Sequence, residues 1–266
     1  MIDVTQPAEV LSRIRDDAPL VHNITNLVAM DLAANSLLAL GASPAMAHAV
    51  GEVADFVGIA GALTVNSGTF DEDWVESACL AAHSAGKLGK PWVYDPVGAP
   101  ATAYRRANAK RLMALKPSIL RGNGSEILAV AGEVEDGGKG VDSTVGAEAA
   151  AEAAEALARQ ERLTVVVTGA TDFLTDGVRK ARISNGSPLM GRITAVGCAL
   201  TAITGAAAAV ERDAFAAAVA ATAIMGVAGD MAAEKAQAPG SFRVALLDAL
   251  YEMTPEDLER RAKIEP

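Results

Sequence analysis

Short apolar runs alternate with longer segments of helical spacing along this chain. Residues 7–16 predict a first helix, and 19–23 predict a short strand running into a loop. Apolar residues recur at helical spacing over 26–40, and Gly41 supplies the stop. Residues 45–47, following Pro44, predict a short strand. The apolar segments 56–60 and 62–66 flank a turn region. A helix is expected over 71–88 with Trp74 and Leu80 on its inner side. A strand at 91–94, a helix at 103–115 and a strand at 118–120 follow. Residues 135–142 are the most loop-like stretch, and an alanine-rich helix is expected over 146–162. The β-branched run 163–167 predicts a buried strand ending at Thr168-Gly169, and 173–180 a hairpin turning on Asp176-Gly177. The remainder reads as helical, with a break over 230–240. Thr254 opens a last helix that carries Pro255 at its first position.

This alternation predicts an α/β architecture of three layers, a mostly parallel central sheet with helices on both faces. No linker, composition shift or repeat divides the chain, so residues 1–266 read as a single domain. Ligands of such sheets bind outside the carboxyl ends of the strands. Asn66, Asp95, Arg121, Asn123 and Thr168 all fall at expected strand ends and are placed to share one crevice.

Composition narrows the function classes. Of 266 residues 51% are hydrophobic, enough for a large core and too many for a disordered chain. The net charge of −10, with no basic stripe, argues against non-specific nucleic-acid binding. Two cysteines far apart do not form a disulfide framework, and His22, His48 and His83 lack the paired spacing of a zinc site. The first residues are polar, with no signal-peptide core, and the low-charge run 195–210 is too short to span a bilayer. A cytoplasmic location and no membrane association are expected.

Three segments carry chemistry. Arg192-Ile-Thr-Ala-Val-Gly-Cys-Ala-Leu-Thr201 runs from a polar, glycine-containing turn into an apolar helix. Helix-start N–H groups lack internal partners and attract anions, so Ala195, Val196, Gly197 and Cys198 form an expected anion hole. The same field is expected to lower the proton affinity of Cys198 and make it a base. Asp95 ends the run Trp92-Val-Tyr-Asp-Pro-Val-Gly98, and Glu126 closes Ile119-Leu-Arg-Gly-Asn-Gly-Ser-Glu126. Carboxylates at strand ends suit Mg²⁺, held directly or through water and bridged to phosphates. Each segment alone is an ordinary turn or helix start; together they suggest phosphoryl transfer. The 135–142 loop lacks the preceding strand and Lys-Ser/Thr ending of a phosphate loop.

Val21-His-Asn-Ile-Thr-Asn-Leu-Val28, Ala33-Ala-Asn-Ser-Leu-Leu-Ala39, Gly41-Ala-Ser-Pro-Ala-Met46, Asp95-Pro-Val-Gly98, Arg121-Gly-Asn-Gly-Ser-Glu-Ile127, Gly138-Lys-Gly-Val-Asp-Ser143, Val167-Thr-Gly169 and Gly197-Cys-Ala-Leu-Thr-Ala202 occur in fixed order. In this ordered set the chain resembles the hydroxyethylthiazole kinase family of the ribokinase-like superfamily. The resemblance covers nearly the whole chain, least securely the last thirty or so residues. It implies a ribokinase-like fold and phosphorylation of the primary alcohol of hydroxyethylthiazole by ATP with Mg²⁺, in thiamine biosynthesis and salvage. It further implies a homotrimer with active sites at subunit interfaces. Met46, Ala195, Asn23 and Thr25 match thiazole-pocket positions, and Arg121 and Thr168 match ATP contacts. Cys198 stands where related kinases carry an aspartate base.

Two departures matter. Thr194-Ala-Val-Gly-Cys198 stands where the family usually has Thr-Gly-Thr-Gly-Cys, and Pro100 replaces a usual glycine. Alanine resists positive φ and valine narrows backbone freedom. A kinase of another small alcohol, such as a hydroxymethylpyrimidine, and a non-catalytic ligand-binding protein are the competing readings. The presence of Asp95, Glu126, Arg121 and Cys198 argues against the second.

Overall fold

The computed structural model describes residues 6–133 and 143–266. The loop expected at 135–142, and with it most of the 138–143 segment, lies outside the described residues. Strands β1 (Leu20–Ile24), β2 (Ser43–Ala45), β3 (Ala62–Asn66), β4 (Trp92–Asp95), β5 (Ile119–Asn123), β6 (Thr164–Thr168), β7 (Asp172–Thr175), β8 (Lys180–Ile183) and β9 (Ile264–Glu265) form one sheet. Its spatial order is β2-β1-β3-β4-β5-β6-β7-β8-β9. Pairs from β2 to β6 are parallel, and β6 to β9 are antiparallel. The mostly parallel sheet is therefore as expected.

Helices α1 (Gln6–Asp17), α2 (Met30–Leu40), α3 (Val53–Ile59), α4 (Glu72–Leu88), α5 (Ala103–Met113), α6 (Gly124–Ala131) and α7 (Ser143–Glu161) accompany the parallel strands. A 3₁₀ turn, Pro188–Arg192, leads into α8 (Val196–Val210), α9 (Ala214–Lys235), α10 (Pro239–Glu252) and α11 (Pro255–Arg261). Successive strand residues point to opposite faces. Val21, Val93, Ile119 and Val166 join the apolar layer of α1, α2, α8, α9 and α10. Leu63, Val65, Trp92, Tyr94, Leu120, Val165 and Val167 join the layer of α3 to α7. The same parity carries Asn66, Asp95, Arg121 and Thr168 to the α8 face, at the carboxyl ends of their strands.

Several expectations shift. The segment around Phe56 is helical, because Val53 and Val57, one turn apart, are both buried. The short strand lies at 43–45 and contains Pro44, which is tolerated because β2 is an edge strand. The α2 helix begins at Met30; Asn26 instead accepts from the Ala29 N–H at 3.0 Å in a turn. Leu80 is exposed, since α4 packs through Trp74 and a row of alanines. The break expected over 230–240 occurs at 236–238, between α9 and α10, because the Asp230 carboxylate accepts from Asn185 Nδ2 at 2.7 Å and the Gly186 N–H at 2.9 Å within a helix that runs on to Lys235. Strand β9 had no counterpart in the expected elements. Among the described residues, the helix long and apolar enough to cross a membrane is α9, and 83% of its apolar window is buried inside this fold.

Gly41 stops α2 at φ 103° and Thr254 starts α11 ahead of Pro255, as expected, while Asp71 caps α4 just before its first residue, Glu72. The tightest helix–sheet approach is at Gly205 of α8. A Cβ there would stand 2.5 Å from Thr64 Cγ2 and 2.9 Å from Val21 Cγ1. Both neighbours are β-branched and stiff. Gly205→Ala should therefore push α8 off the sheet and cost about 1–3 kcal/mol of stability. Urea unfolding with an unchanged midpoint would remove this constraint.

Candidate active site

The carboxyl ends of six neighbouring strands form a row, and Asp95 lies inside it. Asp95 is fully buried at the end of β4. Its Oδ2 accepts from Asn66 Nδ2 at 2.7 Å, Thr201 Oγ1 at 2.7 Å and Arg121 Nη1 at 3.3 Å. Its Oδ1 has no partner among the described residues. Burial raises its proton affinity, while the Arg121 charge and the three donors oppose that shift. Arg121 also donates from Nη2 to Thr168 Oγ1 at 3.0 Å. Its Nε is buried with no partner among the described residues. The first turn of α8 rests on this guanidinium: a Cβ on Gly197 would stand 2.7 Å from Arg121 Nη2.

Glu126 sits in the first turn of α6. Asn123 and Glu126 form a capping box, with Glu126 Oε2 accepting from the Asn123 N–H at 2.8 Å. Its Oε1 accepts from the Gly98 N–H at 2.9 Å, across in the loop after β4. Burial and then the neighbouring Asp95 raise its proton affinity. Arg105 ties the loop after β3 to the same loop. It donates to Ser67 O at 3.0 Å, Val97 O at 2.8 Å and Gly68 O at 2.8 Å.

Ala195 precedes α8 in the left-handed region, at φ 69° and ψ 8°. The conformation that alanine resists is thus the one adopted. Cys198 lies one turn in, and its Sγ accepts from Asn26 Nδ2 at 3.3 Å. The same Asn26 amide donates to Asn66 Oδ1 at 2.7 Å. The expected thiolate does not follow. Burial, then the Asp95 charge, push the Cys198 thiol up, outweighing the Asn26 donor and Arg121. A thiol in this setting keeps its proton at neutral pH.

Met46 and Ala195 are both partly buried against the α8-side layer. Thr25 is buried just past the end of β1. Asn23 is buried within the sheet, where its Oδ1 accepts from Thr64 Oγ1 at 2.7 Å and its Nδ2 donates to Val21 O at 2.8 Å. Those bonds hold it within the sheet, on the α8 side. Asn26 and Thr201 were missed from the sequence. Thr201 had a signal, three residues beyond Cys198 on the same helical face. Asn26 had none, because its partners come from β3 and α8.

Two clefts meet at Thr168–Ala170. One, of about 650 Å³, is lined by Arg121, Asp172, Gly186, Met190 and Gly197. The other, of about 780 Å³, is lined by Ser125, Leu128, Glu152, Phe173 and Arg182. Among the described residues no group of three or more His, Cys, Asp or Glu side chains could hold a metal ion.

The profile of the hydroxyethylthiazole kinase family matches residues 11–256. The chain belongs to the hydroxyethylthiazole kinase family. Hydroxyethylthiazole kinase of Cereibacter sphaeroides is 53% identical over 255 residues, covering 96% of this chain and 97% of that one. That of Desulfotalea psychrophila is 49% identical over 258 residues, covering 97% and 94%. The solved hydroxyethylthiazole kinase of Pyrococcus horikoshii superposes with a TM-score of 0.90 at 41% identity, covering 97% of this chain and 98% of that one. Pyridoxal kinase of Staphylococcus aureus, at 14% identity and a TM-score of 0.64, covers 80% and 88% and shares the ribokinase-like fold. As a member of this kinase family, the chain phosphorylates the alcohol of hydroxyethylthiazole, in thiamine biosynthesis and salvage, with a nucleotide as co-substrate.

Asp172 generates a pH-dependent prediction. It accepts from the Gly169 N–H at 2.9 Å, and burial raises its pKa from 3.8 to about 6, against the pull of Gly169 and Arg121. The folded state therefore binds this proton more tightly than the unfolded chain. Stability from this group is greatest when it is protonated, and falls as pH rises from its unfolded value through about 6. Asp172→Asn keeps an oxygen for Gly169 and removes the ionisation. Its melting temperature should gain on the wild type as pH rises from about 5 to about 7.5. Parallel profiles would reject the assignment.

Proposed function

We propose that the row of strand ends holds the two substrates of this kinase on either side of Asp95. The alcohol acceptor lies against Met46, Thr25, Ala195 and Cys198, over the floor made by Asn23. ATP lies on Arg121 and Thr168, its base and ribose in the adjoining clefts. The observation that carries this reading is the arrangement at Asp95: a buried carboxylate, one of whose oxygens has no partner among the described residues, against Arg121 and near the first turn of α8. From β2 to β6 the row spans five inter-strand steps, about 24 Å, room for two substrates end to end.

In the reaction the acceptor oxygen bonds to the γ-phosphorus, the bond to the ADP oxygen breaks, and the alcohol proton is released. Negative charge on the transferring group is met by Arg121 and by the N–H groups of Val196, Gly197 and Cys198. Cys198, a neutral thiol held by Asn26, orients the hydroxyl. A loose phosphoryl transition state asks little of a base, so positioning and electrostatics carry most of the rate. Mg²⁺ fits the donor set: Asp95 offers a free buried oxygen, and Glu126, whose oxygens already accept N–H bonds, suits contact through water. Mg²⁺ when bound would offset phosphate charge. Asp95→Asn and Glu126→Gln should cut Mg²⁺-dependent turnover far more than stability, Asp95→Asn by about 10²-fold. Arg121→Ala should raise the ATP requirement more than the thiazole requirement. Cys198→Ala should lose about ten-fold or less, and Cys198→Asp should keep or raise turnover, since a carboxylate ionises there more readily than a thiol. Steady-state rates at saturating hydroxyethylthiazole decide these. Unchanged Mg²⁺ dependence in both carboxylate variants would reject the metal role, and a far larger loss in Cys198→Ala would restore a base.

The chain is further proposed to act as one catalytic domain, in the cytoplasm, as a homotrimer. Leu27, Val28 and Val50 are 65%, 58% and 48% exposed beside Thr25 and Met46, an apolar surface suited to a second copy at the acceptor side. Sedimentation should give a trimer whose activity falls on dissociation. A fully active monomer would overturn this.

A further inference from the structure

His22 is a fully buried histidine in β1 that the reaction above does not use. Its ring leans on Phe56 of α3, centroids 5.5 Å apart. Nε2 lies 2.8 Å from the Ala47 carbonyl oxygen. A carbonyl only accepts, so Nε2 carries the proton and donates. Nδ1 is then a bare buried acceptor, with no partner among the described residues. Burial holds the imidazole below its ordinary pKa, so it is neutral at neutral pH. A leucine would fill this position without an unsatisfied buried nitrogen. What the histidine adds is one bond, and that bond goes outside the sheet. The β1–β2 ladder ends at His22↔Ala45, two residues before Ala47.

The segment 46–50 is the strap between β2 and the turn before α3. It is anchored at two successive carbonyls. His22 holds Ala47 O from β1, and Ser77 Oγ of α4 holds His48 O at 2.6 Å. The His48 ring also meets Trp74 edge-on, centroids 4.7 Å apart. Met46 sits between the end of β2 and the first anchor. Its side chain has three rotatable bonds and takes its place from the backbone that carries it. We propose that His22 is a positioning residue for the alcohol acceptor: by fixing the Ala47 carbonyl it holds the Met46 strap as the outer wall of the acceptor pocket. The inference rests on the reading that the acceptor lies against Met46.

The test is steady-state kinetics in both substrates, hydroxyethylthiazole and ATP, on the full-length protein, with a melting curve for each variant. His22→Leu should raise the KM for hydroxyethylthiazole about ten-fold and leave the KM for ATP within about two-fold. His22→Gln, whose amide N–H reaches in the same direction, should restore most of the acceptor KM. Ser77→Ala, which releases the second anchor from a different helix, should move the same parameter in the same direction, and tests the strap even where His22→Leu does not fold. Met46→Ala separates the two layers of inference. An unchanged acceptor KM in Met46→Ala overturns the acceptor placement, and the proposal with it. A raised acceptor KM in Met46→Ala, with wild-type values in His22→Leu and Ser77→Ala, overturns the clamp alone. Equal rises in both KM values in His22→Leu would mark a general structural role and also overturn it.

Discussion

A carboxylate taken wholly out of water is stable only with donors around it, and Asp95 draws its donors from three separate elements. Asn66 comes from β3, Arg121 from β5 and Thr201 from α8. The requirement that stabilises the charge therefore also fixes two flanking strands and one helix relative to β4. Removing any one donor leaves a buried charge short of a partner, which costs far more than an exposed ion pair contributes. The two sides of the site are joined through this one group: Asn66 passes the connection to Asn26 and Cys198, and Arg121 passes it to Thr168.

Whether α8 reaches Asp95 is decided by small residues. Gly205 lets the helix lie on Thr64 and Val21, and Gly197 lets its first turn lie on the Arg121 guanidinium. Strand parity does the rest. Residues at even positions of β3 and odd positions of β4 and β5 face α8, so a polar residue placed there at a strand end enters the site. The neighbouring positions, Val65, Tyr94 and Leu120, are buried in the opposite layer. The chemistry of the site is thus a consequence of where apolar alternation stops along each strand.

That logic explains what was legible beforehand. Asp95, Arg121 and Thr168 announced themselves as polar residues closing apolar runs, and Gly41, Asp71 and Thr254 as helix stops and starts, because those signals are local. The family resemblance supplied what spacing does not, the proposed pairing of Met46 with the acceptor and of Arg121 with ATP. The misreadings share one cause. Cys198 looked acidic because the local helix start was visible, while its burial in the fold and the Asp95 charge beside it were not. Asn26 was passed over because its amide serves partners on β3 and α8.

The carboxyl edge of the sheet carries local costs. Ala195 holds a left-handed conformation, which costs an L-residue about 1–2 kcal/mol. Asp95 Oδ1 and Arg121 Nε, at the ends of β4 and β5, are buried without partners among the described residues. At the opposite edge of the fold, the turn joining β7 to β8 is fully answered: Asp176 accepts from two backbone N–H groups, and Arg179 pairs with Asp213. Unanswered groups at the strand ends beside α8 are poised to interact with ligands rather than with the protein. Such groups need not break an existing bond when substrate arrives, so the reorganisation that would otherwise slow the reaction is completed when the chain folds.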